Sequence, residues 1–178
     1  LTAVGGSTNF NTLINADRTD GMGVELDFEA FITDNLRVSI GASYNDTEID
    51  DPDLGVQVCG SGCTYTDPVT APPIPPFVPA TVSIDGNRLP QSPEWIFSMM
   101  THFSKPVGSG EFFASSDIAY RSEVNFFLYE SVEFEGESLI ETGLRIGYAW
   151  NDGKREVAIF GRNLTDMARQ GKLDPVIG

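Results

Sequence analysis

Apolar and polar residues alternate along six stretches of this chain. Residues 36–44 show the pattern most clearly: Leu36, Val38, Ile40, Ala42 and Tyr44 fall on one face, and Arg37, Ser39, Gly41 and Ser43 on the other. A period of two marks a β-strand with one apolar and one polar side. The first strand is expected over residues 15–32, with Val24, Leu26, Phe28, Ala30 and Ile32 opposite Glu25, Asp27, Glu29 and Phe31. The second runs over residues 36–48. The third starts near Pro93 and gathers Trp95, Phe97, Met99, Thr101 and Phe103 on one face; the fourth, residues 111–124, gathers Phe112, Ala114, Ser116, Ile118 and Tyr120. The fifth, from about Glu137, aligns Ile140, Thr142, Leu144, Ile146, Tyr148 and Trp150, and the sixth, residues 155–164, aligns Val157 and Ile159.

The connections alternate in length. They are short at 33–35, long at 49–87, short at 105–110, longer again at 125–136 and short at 151–154, and the chain is irregular after 165. In an up-and-down sheet every second connection lies on the same side, so one side is trimmed and the other elaborated. Tyr44, Trp95, Phe103, Tyr120, Tyr148 and Trp150 sit near strand ends on the apolar face, where an aromatic ring with a polar tip favours the headgroup level of a bilayer. The expected fold is all-β: an antiparallel up-and-down transmembrane β-barrel segment of about six strands from a larger barrel. Its long loops would be extracellular and its short turns periplasmic. The competing architecture is a secreted or surface-exposed β-sandwich that binds a ligand, because core aromatics of a sandwich give the same alternation.

Composition narrows the function. The chain of 178 residues fits one domain. Its net charge is −15, from 26 acidic and 11 basic residues. Nucleic acid as a partner is disfavoured, since it needs a basic footprint. A surface helix on anionic lipid is disfavoured for the same reason. No apolar run reaches the ~18–20 residues of a transmembrane helix. The chain opens on Leu1 and stops at Gly178, which reads as a piece of a longer protein.

Candidate chemistry is sparse. Cys59 and Cys63 flank Gly-Ser-Gly, and the one histidine, His102, is far away. A set of four zinc ligands is therefore not available there. A short disulfide loop fits an oxidising compartment, with two free thiols as the alternative. Glu25, Asp27, Glu29, Asp117 and Arg121 are candidates for a polar, lumen-facing lining, either a generic wet interior or a surface that bonds a plug or steers a solute. Asp46, Glu48, Asp50, Asp51 and Asp53 form an acidic run that could offer oxygen ligands to calcium, though a solvated loop has the same composition. No catalytic set and no phosphate-cradling glycine loop is readable. No enzyme activity, cofactor or dedicated metal site is expected. Pro72 to Pro79 reads as a polyproline-like run.

Three stretches add a resemblance: Asn15-Ala-Asp-Arg-Thr-Asp-Gly-Met-Gly-Val-Glu-Leu26, Asn87-Arg-Leu-Pro-Gln-Ser-Pro-Glu-Trp95, and Gly161-Arg-Asn-Leu-Thr-Asp166. In this order and spacing they resemble the C-terminal part of the barrel of a TonB-dependent outer-membrane receptor, over roughly residues 15–166. The resemblance implies a bacterial outer-membrane location, lipid around the barrel, and uptake of a scarce nutrient such as a siderophore, cobalamin or a glycan. It also implies energy delivered by TonB through a plug domain. The chain departs from the pattern: residues 1–178 would be a partial barrel domain, without the plug or the final strands. Barrels of that class have about 22 strands.

Overall fold

In the computed structural model, residues 14–60, 62–75 and 78–163 are described. The strands are β1 (Arg18–Thr33), β2 (Leu36–Asp50), β3 (Gly55–Gln57), β4 (Val69–Ala71), β5 (Thr81–Ser83), β6 (Trp95–Val107), β7 (Gly110–Arg121), β8 (Val124–Asn125), β9 (Glu135–Gly136), β10 (Leu139–Trp150) and β11 (Arg155–Asn163). One 3-10 turn, Val132–Phe134, interrupts them. No helix among the described residues is long and apolar enough to cross a membrane, a statement that does not bear on strands.

The chain divides into two compact units. The sheet unit, residues 24–44, 95–122 and 138–163 of those described, is built on one six-stranded sheet in the order β1-β2-β6-β7-β10-β11. The pairings β2–β6, β6–β7, β7–β10 and β10–β11 are all antiparallel. The six long strands are those expected from the alternation, and their register confirms the faces. Ile40 pairs Met99, Met99 pairs Ile118, and Ile118 pairs Thr142, all on the apolar side. Ser39, Met100, Asp117, Gly143 and Arg162 follow one another across the other side. The sheet is not closed: among the described residues β1 and β11 are its edges.

Three tight turns join β1 to β2, β6 to β7, and β10 to β11. The middle one is shorter than the sequence implied. Lys105, Pro106 and Val107 stay in β6, and Val107 pairs Gly110, leaving only Gly108 and Ser109 as the loop. Gly108 has φ +63°, the conformation a glycine-first two-residue hairpin requires. Pro106 is tolerated because it lies next to the turn, at the last rungs of the ladder. In the β10–β11 turn, Asn151 and Asp152 adopt positive φ, which these two residue types bear better than most.

The loop unit, residues 14–23, 45–94 and 123–137 of those described, has a core of its own. Ile49, Val58, Ala80, Val82, Ile84 and Tyr129 form it, and Val82 and Ile84 are fully buried. A small sheet, β3-β5-β4, supplies Val82 from its central strand. The expected forty-residue loop is thus a folded body. The proline run is also not extended: Ile74 and Val78 exchange both backbone hydrogen bonds at 3.0 Å, so the chain doubles back between them. Cys59 and Cys63 are joined in a disulfide with Cα atoms 6.2 Å apart.

Candidate functional site

Two surfaces and one hydrogen-bonded network are the candidates for functional chemistry. The first surface is the apolar face of the sheet unit. Strand alternation presents Val24, Leu26 and Phe28 from β1, Trp95 and Phe97 from β6, Leu144 from β10, and Val157 and Ile159 from β11, and all of these are exposed. Val24 is 69% exposed, Leu144 52% and Ile159 75%. Soluble monomers rarely expose contiguous apolar patches beyond a few hundred Å². A β-sandwich would bury such a face under a second sheet, at about 10 Å; within the sheet unit no second sheet does so among the described residues.

Aromatic rings border this face in two rows. Tyr44 packs on Trp95 with centroids 4.7 Å apart, and Tyr120 lies opposite Phe97. Towards the tight turns, Phe103 meets Phe112 edge-on at 6.4 Å, and Tyr148 stacks with Trp150 at 6.2 Å. The Tyr148 hydroxyl donates to the Val107 carbonyl at 2.8 Å, so its polar tip is satisfied. From Tyr120 to Phe112 is eight residues along β7, about 26 Å at ~3.3 Å per residue. A strand tilt of 35–45° reduces this to about 20 Å, close to the ~25 Å apolar band of outer-membrane barrels.

The second surface is the opposite face, and it holds all the sequence-predicted polar residues. Asp117 and Arg121 lie on it by register. Glu29 accepts from Arg37 at 2.9 Å, and the Asp27 carboxylate lies beside Gly41, which places both carboxylates on the Ser39 side of β2. Glu25 follows by the two-residue period of β1. The structure adds ion pairs that the sequence did not reveal. Arg162 reaches Asp117 at 3.1 Å across Gly143, and a Cβ on Gly143 would collide with the Asp117 carboxylate. Arg145 pairs with Glu156 and lies 5.0 Å above the ring of Phe113. His102 Nδ1 and Ser115 Oγ are 2.8 Å apart. This face is a lattice of cross-strand pairs with glycine gaps beneath the longer side chains.

The loop unit is strongly acidic. Its described residues carry fifteen carboxylates against two cations, Arg18 and Arg88. Arg18 binds Asp20 and Asp50, and Arg88 binds Glu94 at 2.9 Å. Such a field disfavours anionic partners and attracts cations. The acidic run nevertheless does not assemble into the calcium-type cluster considered from sequence: no group of three potential ligands converges among the described residues. Asp46, Glu48 and Asp50 share one face of β2 but are spread along it at every second residue, and Asp51 and Asp53 lie beyond its end. Asp51 is buried and accepts the backbone N–H groups of Asp17 and Asp53, at 2.9 and 3.3 Å. Asp53 itself is exposed.

A hydrogen-bonded network, buried at Asp67, Asn87 and Ser131 and exposed at Thr64, Glu130 and Glu133, ties the two long connections of the loop unit together. Asp67 Oδ2 accepts from Asn87 Nδ2 at 3.0 Å and from the Glu130 N–H at 2.7 Å. Asn87 Nδ2 also donates to the Leu128 carbonyl at 3.1 Å. Glu133 receives the Thr64 N–H at 2.6 Å, the Thr64 hydroxyl at 2.9 Å and the Ser131 hydroxyl at 2.7 Å. The Thr64 N–H, and then the two hydroxyls, hold its carboxyl down at about 2. Burial, and then the carboxylates of Asp67 and Glu135, push Glu130 upward, with Arg88 opposing. Burial raises Tyr129 as well. Sequence reasoning missed this network, because its partners lie up to 69 residues apart and no periodicity links them.

Leu164, Thr165 and Asp166, the end of the third resembling stretch, lie outside the described residues. Protein-family models, curated proteins and solved structures were all compared with the chain, and none matches.

Proposed function

We propose that this chain forms part of the wall of a bacterial outer-membrane β-barrel of the TonB-dependent receptor kind, acting in nutrient uptake rather than catalysis. The observation that carries the reading is the exposed apolar face running across six antiparallel strands between two aromatic rows. Lipid is the partner of that face. The opposite, ion-paired face lines the lumen, where Glu25, Asp27, Glu29, Asp117 and Arg121 contact water, a plug or the passing solute. Tight turns point to the periplasm and long connections to the outside. TonB engages a plug domain, and the solute is a siderophore, cobalamin or glycan.

Three features support this. The polar lining candidates and the aromatic rows fall on opposite sides of the sheet, with Ile96, Met100 and Phe160 as exposed apolar residues on the more polar side. All three short connections are hairpins, whereas β2–β6 and β7–β10 are joined by long segments. The sheet has open edges, which in lipid must be paired by further strands because unpaired backbone groups there cost several kcal/mol each. Fractionation tests the reading: the protein should sediment with outer membranes and need detergent for extraction. A monomer that stays soluble without detergent refutes it.

A further inference from the structure

The Cys59–Cys63 disulfide sits between two anchors on the other long connection. On one side Val58, next to Cys59, shares the buried core of the loop unit with Tyr129. On the other, next to Cys63, Thr64 donates its N–H and hydroxyl to Glu133, and its carbonyl accepts the Val132 N–H at 3.1 Å. Tyr65 then bridges Ser131, and the Thr66 N–H reaches the Glu130 carbonyl at 3.1 Å. Both ends of the cystine loop therefore hold the segment 129–133. The bond fixes their spacing, with the two Cα atoms 6.2 Å apart.

Each end is also held by its own neighbours, Val58 by the Ala80 carbonyl and Thr64 by Glu133, and the bond is the direct link between them. Gly60 and Gly62 are exposed, and a Cβ on either would meet no atom within 4 Å. Without the bond, four peptide steps could extend to about 14 Å, more than twice the crosslinked distance. Both cysteines are only partly buried.

We propose that Cys59–Cys63 is a thiol-operated latch: while oxidised it holds the 123–137 connection against the 45–94 connection, and its reduction frees the 129–133 segment and exposes the Phe127–Tyr129–Phe134 cluster. The chemistry is thiol–disulfide exchange. A thiolate of a small dithiol attacks one sulfur and displaces the other cysteine as a thiolate. The second thiol of the reagent then displaces the remaining cysteine. The cystine takes up two electrons and two protons, and the dithiol leaves as its cyclic disulfide. Release lets the aromatic ring stack, Phe127 on Tyr129 at 5.6 Å and Phe127 against Phe134 at 4.5 Å, come apart. The latch is independent of whether the sheet unit faces lipid.

The test is amide hydrogen exchange on the folded chain in detergent, before and after treatment with dithiothreitol and alkylation, with the two added alkyl groups counted by mass spectrometry. The expected result is about tenfold or faster exchange at Thr64, Thr66, Phe126 and Val132, with β7 and β10 unchanged, as for a local opening. Unchanged exchange after complete alkylation overturns the latch. Uniform acceleration through β7 and β10 also overturns it, because the bond would then be a general brace. Glu133→Gln, with the disulfide intact, should loosen the same amides without any alkylation; if it does not, the clamp is not what the bond holds in place.

Discussion

A cation on the apolar face gives a quantitative prediction. Leu144 lies midway between Ile140 and Tyr148 on β10, opposite Ser116 on β7 and Gly161 on β11, and is 52% exposed. If that face met water, Leu144→Arg would be an ordinary surface change, within about ±0.5 kcal/mol. If it meets lipid, the guanidinium lies near the bilayer midplane and costs about 2–4 kcal/mol. At about 1.4 kcal/mol per tenfold, that is a loss of roughly 30- to 700-fold in the folding constant. Depth should grade the effect: Ile140→Arg, 53% exposed beside Tyr120 at the other aromatic row, should cost only about 0–1 kcal/mol. Ser39→Arg on the opposite face should also be mild. Gly143 cannot serve as the control, since any side chain there strikes the Asp117 carboxylate and disturbs its pair with Arg162. The assay is reversible denaturant unfolding from phospholipid vesicles, followed by the fluorescence of Trp95 and Trp150. Equal penalties at Leu144 and Ser39 would refute the assignment of the faces.

The loop unit gives three further predictions. Ile84→Ala, at a fully buried core position, should cost about 2–5 kcal/mol of that unit's stability, read by hydrogen exchange of β3 and β5. Asp67→Ala leaves Asn87 Nδ2 with one acceptor and the Glu130 N–H with none, and should cost about 1–3 kcal/mol by the same measurement. The Glu133 clamp should weaken in acid. Its folded pKa lies below the ordinary value, so its contribution is complete above about pH 4.5 and is lost as pH falls towards about 2. Amide exchange at Thr64, followed against pH and corrected for intrinsic rates, should show a loosening in that window that Glu133→Gln removes.

The six long strands were legible because a two-residue period repeats over nine or more residues in each, and register then follows from the faces. The aromatic rows were legible for the same reason. The interior of the long connection was not: β3, β4 and β5 have three residues each, too few for a period to emerge. Their stability comes from Val82 and Ile84 meeting Ile49 and Tyr129, contacts made across long stretches of sequence. Proline misled twice. Pro106 stood for a turn but lies within β6, and the prolines from 72 to 79 stood for an extended run, although Ile74 and Val78 within it form a bridge. Carboxylates alone did not announce their roles. Asp27 and Asp117 were placed on the polar side by alternation, whereas nothing in the sequence distinguished Glu133 from the other acids around it.

The central claim is that the apolar face lies in lipid, and depth-resolved quenching tests it most directly. A single reporter, Leu144→Trp in a background of Trp95→Phe and Trp150→Phe, should be quenched most by lipids brominated deep in the acyl chain. Trp95 or Trp150, retained singly, should be quenched most by lipids brominated close to the headgroup. Fluorescence of the residue-144 reporter that is indifferent to brominated lipid, in vesicles to which the folded protein is bound, would contradict the account.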